Sequence, residues 1–180
     1  MPPREARNLA LVGFMGAGKS TVGRLVAREL EMTFVDTDDA IEERSGRRIG
    51  EIFAADGEAA FRAIETKVLE ELIAKSGQVM ATGGGLICQP GNLALLQSGS
   101  LVVCLWAAPE TIWERVQHQT HRPLLQVTNP KAEIERLMAI REPFYRASDV
   151  LVNSGLRSLR EVAAQVAHHY RAALRQGGGP

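Results

Sequence analysis

The chain has 180 residues, 45% of them hydrophobic and 23% charged, which suits one soluble globular domain with a single sizeable core. Lysine plus arginine equals aspartate plus glutamate at 21 each, so no global field recruits nucleic acid or an anionic membrane, and any anion site is local. No apolar run approaches the roughly 20 residues that span a bilayer.

The opening "MPPREARN" is polar and reads as no signal peptide; residues 1–6 are expected to be a disordered tail. Strands are then expected over 9–14, 33–38, 78–85, 100–107 and 149–154. The first and fourth, "LALVGF" and "SLVVCLWA", are apolar throughout, as strands covered on both faces of a parallel sheet should be. Helices are expected over 18–31, 57–76, 89–98, 109–118, 131–147 and 158–175, and "QGGGP" at 176–180 reads as a second tail. Strand–helix alternation without a long linker predicts one α/β domain over 1–180, a parallel sheet with helices on both faces. Cys88 and Cys104 lack metal-ligand spacing and read as reduced structural thiols of a cytosolic protein.

The first strand runs into "GFMGAGKST", in which Gly13, Gly18, Lys19 and Ser20 fit G-x-x-x-x-G-K-[ST]. In such a phosphate loop the backbone N–H groups of Gly16, Ala17, Gly18, Lys19, Ser20 and Thr21 surround a phosphate at a helix N-terminus. Lys19 then reaches the β- and γ-phosphates and the Ser20 hydroxyl meets Mg²⁺. The match falls between an expected strand and an expected helix, the context that gives the motif its meaning. No guanine-reading N-K-x-D follows, and the third strand ends in "ATGGG" instead of an apolar run closed by an acid. A regulatory GTPase and a mechanical ATPase are therefore disfavoured against a small-molecule kinase.

The second strand ends in "FVDTDDAIE". Asp36 and Asp38 lie two apart, so a continuing strand points both toward the phosphates, one for Mg²⁺ and one for an acceptor hydroxyl. The same letters also read as an acidic helix N-cap; the residues alone do not choose. Further on, Arg62 lies on one helical face with Glu58 and Glu65, three glycines stop a strand at 83–85, "HRPLL" (121–125) puts an arginine in a polar break, and "REPFYRASD" (141–149) offers another. As isolated features the arginines read as surface ion pairs. His118 and His121 read as solvated, His168 and His169 as late in the last helix where cations suit the dipole, Trp106 and Trp113 as packing, and Glu42, Glu43, Glu70 and Glu71 as solvated helix faces.

Taken together, G-x-x-G-x-G-K-[ST], D-x-D, G-E-x-x-F-R-x-x-E, G-G-G, R-P-L-L and R-x-x-x-Y resemble the shikimate kinase family, in order, over about residues 8 to 173. The resemblance implies a three-layer sandwich like nucleoside monophosphate kinases, strand order 2-3-1-4-5, with a mobile lid over about 113–127. It implies that Ser20 and Asp36 serve Mg²⁺, that Asp38 binds the hydroxyls of shikimate, and that Arg62 and Arg141 hold its carboxylate. Gly83, Gly84 and Gly85 would line the ring, Arg122 would meet the transferring phosphoryl group, and Arg115 would stack on adenine. Arg157 and Ser158, in "SGLRSL", fall in the other adenine wall, where Leu159 stands in place of a proline that some members carry. The implied partners are ATP and shikimate, in a cytoplasmic monomer of aromatic amino-acid synthesis. A gluconate kinase, or a catalytically silent nucleotide-binding module, remains the alternative reading.

Overall fold

The computed structural model describes residues 6–118 and 127–177, with main chain alone at 176–177. Five parallel strands, β1 (Asn8–Val12), β2 (Thr33–Asp36), β3 (Gln78–Ala81), β4 (Ser100–Trp106) and β5 (Val150–Asn153), form one sheet in the order β2-β3-β1-β4-β5. Every residue of β1 is buried, and so is all of β4 except Trp106, which explains why these two runs carry no polar alternation.

Helices α1 (Lys19–Leu30), α2 (Thr37–Ser45), α3 (Ile49–Ile73), α4 (Asn92–Gly99), α5 (Pro109–Val116), α6 (Pro130–Arg146) and α7 (Leu159–Gly177) complete the sandwich. α1 packs on α7, α3 on α2 and α4, and α6 on α5. One core runs through the sheet, from Leu9, Leu11, Val103 and Leu105 out to Val22, Leu69, Ile112 and Val166. No described helix is long and apolar enough to cross a membrane.

Several boundaries depart from expectation, each for a local reason. The second strand stops at Asp36, because the Asp36 carboxylate accepts the Asp38 N–H (3.1 Å) and caps α2. The expected 57–76 helix begins earlier, at Ile49: Gly57 takes φ 79° and ψ 176°, so it kinks a longer helix where it was read as the start. The third strand ends at Ala81, and a 3-10 turn over Leu86–Cys88 precedes α4, separated from it by Pro90 and by Gly91 at φ 85°. Ala6, expected in the N-terminal tail, is buried and its carbonyl accepts the Tyr170 hydroxyl (3.2 Å); at the other end α7 continues to Gly177. Trp106 is 45% exposed and packs less than expected, whereas Trp113 lies against the core. Glu42 is no free surface acid either: it accepts the Ile49 N–H (3.0 Å) and an Arg48 hydrogen bond, joining α2 to α3. Both cysteines are free, Cys104 buried and Cys88 half-buried; burial pushes the Cys104 thiol up to about 12.

Candidate active site

At the C-terminal ends of β1, β2 and β3 a cavity of about 700 Å³ opens to solvent, lined from the phosphate loop, Asp36, Asp38, Gly83, Gly84, Arg115, Arg157 and Ser158. Its floor is the loop after β1. Gly13 is irreplaceable on steric grounds, since a Cβ there would lie 2.1 Å from the Leu105 carbonyl oxygen of β4. Gly18, at φ 96°, caps α1 without a side-chain hydrogen bond, and the first turn of α1 carries no acid, so this helix end suits an anion. Lys19 Nζ donates to the carbonyls of Gly13 (2.9 Å) and Phe14 (3.0 Å), folded back over its own loop.

One wall comes from the β2–α2 junction. Ser20 Oγ donates to Asp36 Oδ2 at 2.7 Å, while Asp36 Oδ1 takes the Asp38 amide. These are hard oxygens of the kind that hold Mg²⁺ with phosphates and waters completing the shell. Among the described residues no cluster of three or more His, Cys, Asp or Glu could hold a metal alone. Neither expectation for D-x-D holds as read: the strand does not continue to Asp38 and the N-cap is Asp36, yet both carboxylates line the cavity.

The second wall is the triple glycine after β3, where each position faces different neighbours and only 83 and 85 are tight. A Cβ on Gly83 would lie 3.0 Å from Asp38 Oδ1 and 3.3 Å from Glu65 Oε1. On Gly84 it would lie 3.5 Å from Gly13 O and Met15 N and 3.7 Å from Arg141 Nη1; on Gly85, 3.0 Å from Arg62 Nη2. The Gly83 N–H donates to Thr37 Oγ1 (3.0 Å), and the Tyr145 hydroxyl donates to the Gly84 carbonyl (2.7 Å). Burial drives the Tyr145 phenol well above its ordinary range, so it remains that donor.

Arg62 and Arg141 stand beside the cavity. Arg62 Nη1 donates to Glu65 (2.8 Å), while its Nε (3.3 Å) and Nη2 (3.1 Å) share Glu58. Glu65 is only 1% exposed. Burial raises its pKa above the usual carboxylate range; Arg62 opposes that, and the charges of Asp38 and Glu58 reinforce it. Arg141 lies over the Phe14 ring, 5.6 Å from its centroid. The positive charges of Arg141 and Arg62 both act on the Cys88 thiol, against the larger effect of its burial, so α3 and α6 deliver their cations to one neighbourhood. A phosphate loop, paired carboxylates and two arginines around a glycine platform form a site for moving phosphate onto an anionic, hydroxylated acceptor.

A sequence model of the family described as shikimate kinase matches residues 15–171. A relative from Nitrosospira multiformis, a shikimate kinase, is 42% identical over 171 residues, which cover 94% of this chain and 88% of its own. The solved structure of shikimate kinase from Acinetobacter baumannii in complex with shikimate superposes with a TM-score of 0.87 at 39% identity, covering 93% of this chain and 94% of that one. The chain belongs to the shikimate kinase family. A gluconokinase from Sinorhizobium meliloti shares the fold at a TM-score of 0.61 and 20% identity, covering 96% of this chain and 99% of that one. That likeness concerns the fold alone.

Against the pattern that the shikimate kinase resemblance implies, the cavity gathers Gly16, Gly18, Lys19, Ser20, Thr21, Asp36, Asp38, Gly83, Gly84, Arg115, Arg157 and Ser158. Ala17 is buried beneath the loop, and Arg62, Gly85 and Arg141 flank the cavity without being among its lining residues. Ser158 is committed to α7: its hydroxyl donates to Glu161 (2.7 Å) and accepts the Glu161 N–H (3.3 Å), and Arg157 donates to Gln165. Arg122 and His121 lie outside the described residues. Sequence gives Glu65 only a helical pairing with Arg62, and Thr37 and Tyr145 no role. Glu65 and Tyr145 stand in quoted motifs at i+3 and i+4 of their arginines, a usable signal; Thr37 offers none.

Proposed function

We propose that this chain transfers the γ-phosphoryl group of ATP to the 3-hydroxyl of shikimate, giving 3-phosphoshikimate and ADP. The observation that carries the reading is the convergence on Gly83–Gly85 of Asp38, Arg62 and Arg141 beside a phosphate loop, because it supplies cations for a carboxylate and a carboxylate for a hydroxyl. Arg62 and Arg141 orient the acceptor through its carboxylate, with the planar fork matching two oxygens. Asp38 accepts a hydrogen bond from the 3-hydroxyl and takes its proton as the oxygen attacks phosphorus. The new O–P bond forms as the bond between the γ-phosphorus and the β–γ bridging oxygen breaks, and ADP leaves.

Lys19 swings from the Gly13 and Phe14 carbonyls to the phosphates and neutralises charge developing there. By resemblance we assign Arg122 to the transferring group, Arg115, Arg157 and Ser158 to the nucleoside end, and the amides of 16–21 to the phosphates. Ser20 and Asp36 would hold Mg²⁺, which would supply positive charge to the polyphosphate. The two free thiols suit a reducing compartment, so we place the enzyme in the cytoplasm, acting as a monomer on these small molecules.

A coupled ADP-release assay tests the reading, run with shikimate, then gluconate, then neither, with and without Mg²⁺. Shikimate-dependent, Mg²⁺-dependent release is expected. Turnover of gluconate in its place would reassign the acceptor, and no turnover with any acceptor would make the domain a silent nucleotide-binding module.

A further inference from the structure

The Arg115 guanidinium makes two contacts that nucleobase stacking does not require. Nη1 donates to the Gly16 carbonyl at 3.2 Å and Nη2 to the Ser154 carbonyl at 2.7 Å, across 99 and 39 residues of sequence. Both ends of this span are otherwise fastened. Gly16 sits hard on α5: its Cβ position, at φ 74°, lies 2.7 Å from Val116 Cγ1 and 3.7 Å from Ile112 Cγ2, both buried side chains. Ser154 is buried, and both its amide (2.8 Å) and its hydroxyl (3.2 Å) donate to the Trp106 carbonyl at the end of β4. The Gly16–Ala17 peptide is also held on its other edge, since the Ala17 N–H donates to Phe14 O at 3.2 Å. A peptide plane whose carbonyl and amide are both engaged resists flipping, and Gly18 and Lys19 follow directly from it.

We propose that Arg115 is a positioning residue for the phosphate loop, bracing the Gly16 and Ser154 carbonyls so that the loop holds its phosphate-binding shape before a nucleotide arrives. This rests on the reading of the loop as the nucleotide site and adds to any stacking on the base. The contacts are charge-assisted and partly buried, so solvent screens them less than it screens a surface pair. A loop held in advance loses less conformational freedom when phosphate binds. Lysine cannot substitute, because one ammonium does not reproduce a planar fork spanning two carbonyls.

A ligand without a base separates bracing from stacking. Calorimetry with Mg²⁺-tripolyphosphate is run on the wild type, Arg115→Lys and Arg115→Met, with the shikimate Kd of each as a check on the acceptor half. The expected result is a tripolyphosphate Kd raised about tenfold in Arg115→Met, the loss of one to two hydrogen bonds to a charged donor, with little rescue in Arg115→Lys and an unchanged shikimate Kd. Weakened ATP binding with unchanged tripolyphosphate binding would overturn the brace and leave Arg115 a stacking residue. A parallel loss of shikimate affinity would overturn it as general destabilisation. A wild-type protein that does not bind tripolyphosphate would overturn the phosphate-loop reading and the brace with it.

Discussion

The paired arginines give the sharpest quantitative test of the acceptor site. A guanidinium has five N–H donors. In this structure Arg62 directs Nε and one Nη2 hydrogen to Glu58 and one Nη1 hydrogen to Glu65, so one donor remains on each Nη. On the proposed reading, those two are the donors left to hold the acceptor carboxylate. Each such bond to a charged group is worth about 1.5–3 kcal/mol net. The Arg62 side chain is 19% exposed; discounted for that solvent contact, removing the fork should cost about 3 kcal/mol of acceptor binding, or roughly 10²-fold in Kd. Truncation to alanine would strand the buried Glu65 carboxylate, so Arg62→Gln, which keeps a donor for Glu65, is the better perturbation. Arg141→Ala should cost a similar amount, and the double variant about 1 kcal/mol less than the sum, because both residues act on one anion. Arg62→Lys should fare poorly, since two of its three donors are claimed by Glu58 and Glu65. The assay is shikimate calorimetry across the four members of the cycle, with melting temperatures to confirm folding. Strict additivity, with an unchanged Kd in either single variant, would refute the shared-carboxylate argument.

Four further outcomes are expected. Lys19→Ala should lower kcat by about 10²-fold or more with a much smaller effect on the melting temperature, because the two hydrogen bonds its Nζ donates to Gly13 and Phe14 stay within its own loop; steady-state kinetics beside a thermal melt reads both. Asp38→Asn should abolish phosphorylation of shikimate with ATP affinity nearly intact, and the reverse pattern in binding titrations would exchange the roles of Asp36 and Asp38. Gly85→Ala introduces a Cβ 3.0 Å from Arg62 Nη2 and should raise the KM for shikimate more than that for ATP in initial-rate measurements. Cys104 should resist a thiol reagent until the protein unfolds. Its folded pKa is raised from 9.0 to about 12, so the folded state holds the proton longer and stability should fall as pH rises through that window. A Cys104→Ala variant with the same alkaline loss, measured by denaturant melts at several pH values, would assign the effect elsewhere.

The parts of this molecule that sequence made legible are those whose cause is local. β1 and β4 read correctly because burial on both faces removes every reason for alternation. The phosphate loop read correctly because its glycines have separate steric jobs, from the close approach of Gly13 to β4 to the left-handed Gly18. What stayed ambiguous was "DTD", where one carboxylate caps a helix and lines the site at once: α2 starts at the end of β2, so its N-cap and first turn necessarily lie at the strand's C-terminal edge. Glu65 escaped notice as more than a surface partner of Arg62. It is buried, with Gly83, eighteen residues on, among its neighbours, so helical spacing alone shows the pair and hides the environment. The Tyr145–Gly84 hydrogen bond joins residues 61 apart, beyond the reach of any local pattern.

The sheet order accounts for why the reaction happens where it does. β2, β3 and β1 are neighbours in that order, with Asp36 opposite Ala81 and Ala81 opposite Leu11. The three segments that leave their C-terminal ends are the carboxylate pair, the glycine platform and the phosphate loop, so the acceptor-binding and donor-binding groups must lie side by side. Adjacent strands are about 4.8 Å apart, which sets the two loops about 10 Å from each other across β3. Three consecutive glycines leave that space free of side chains from the middle segment. A Cβ at 84 would just touch Gly13 and Met15 of the phosphate loop and Arg141, so only a side chain longer than alanine's would reach into both neighbours. On the proposed reading, the triple glycine leaves room for the acceptor hydroxyl to meet the γ-phosphate at the near-contact distance of about 3–3.5 Å that transfer requires.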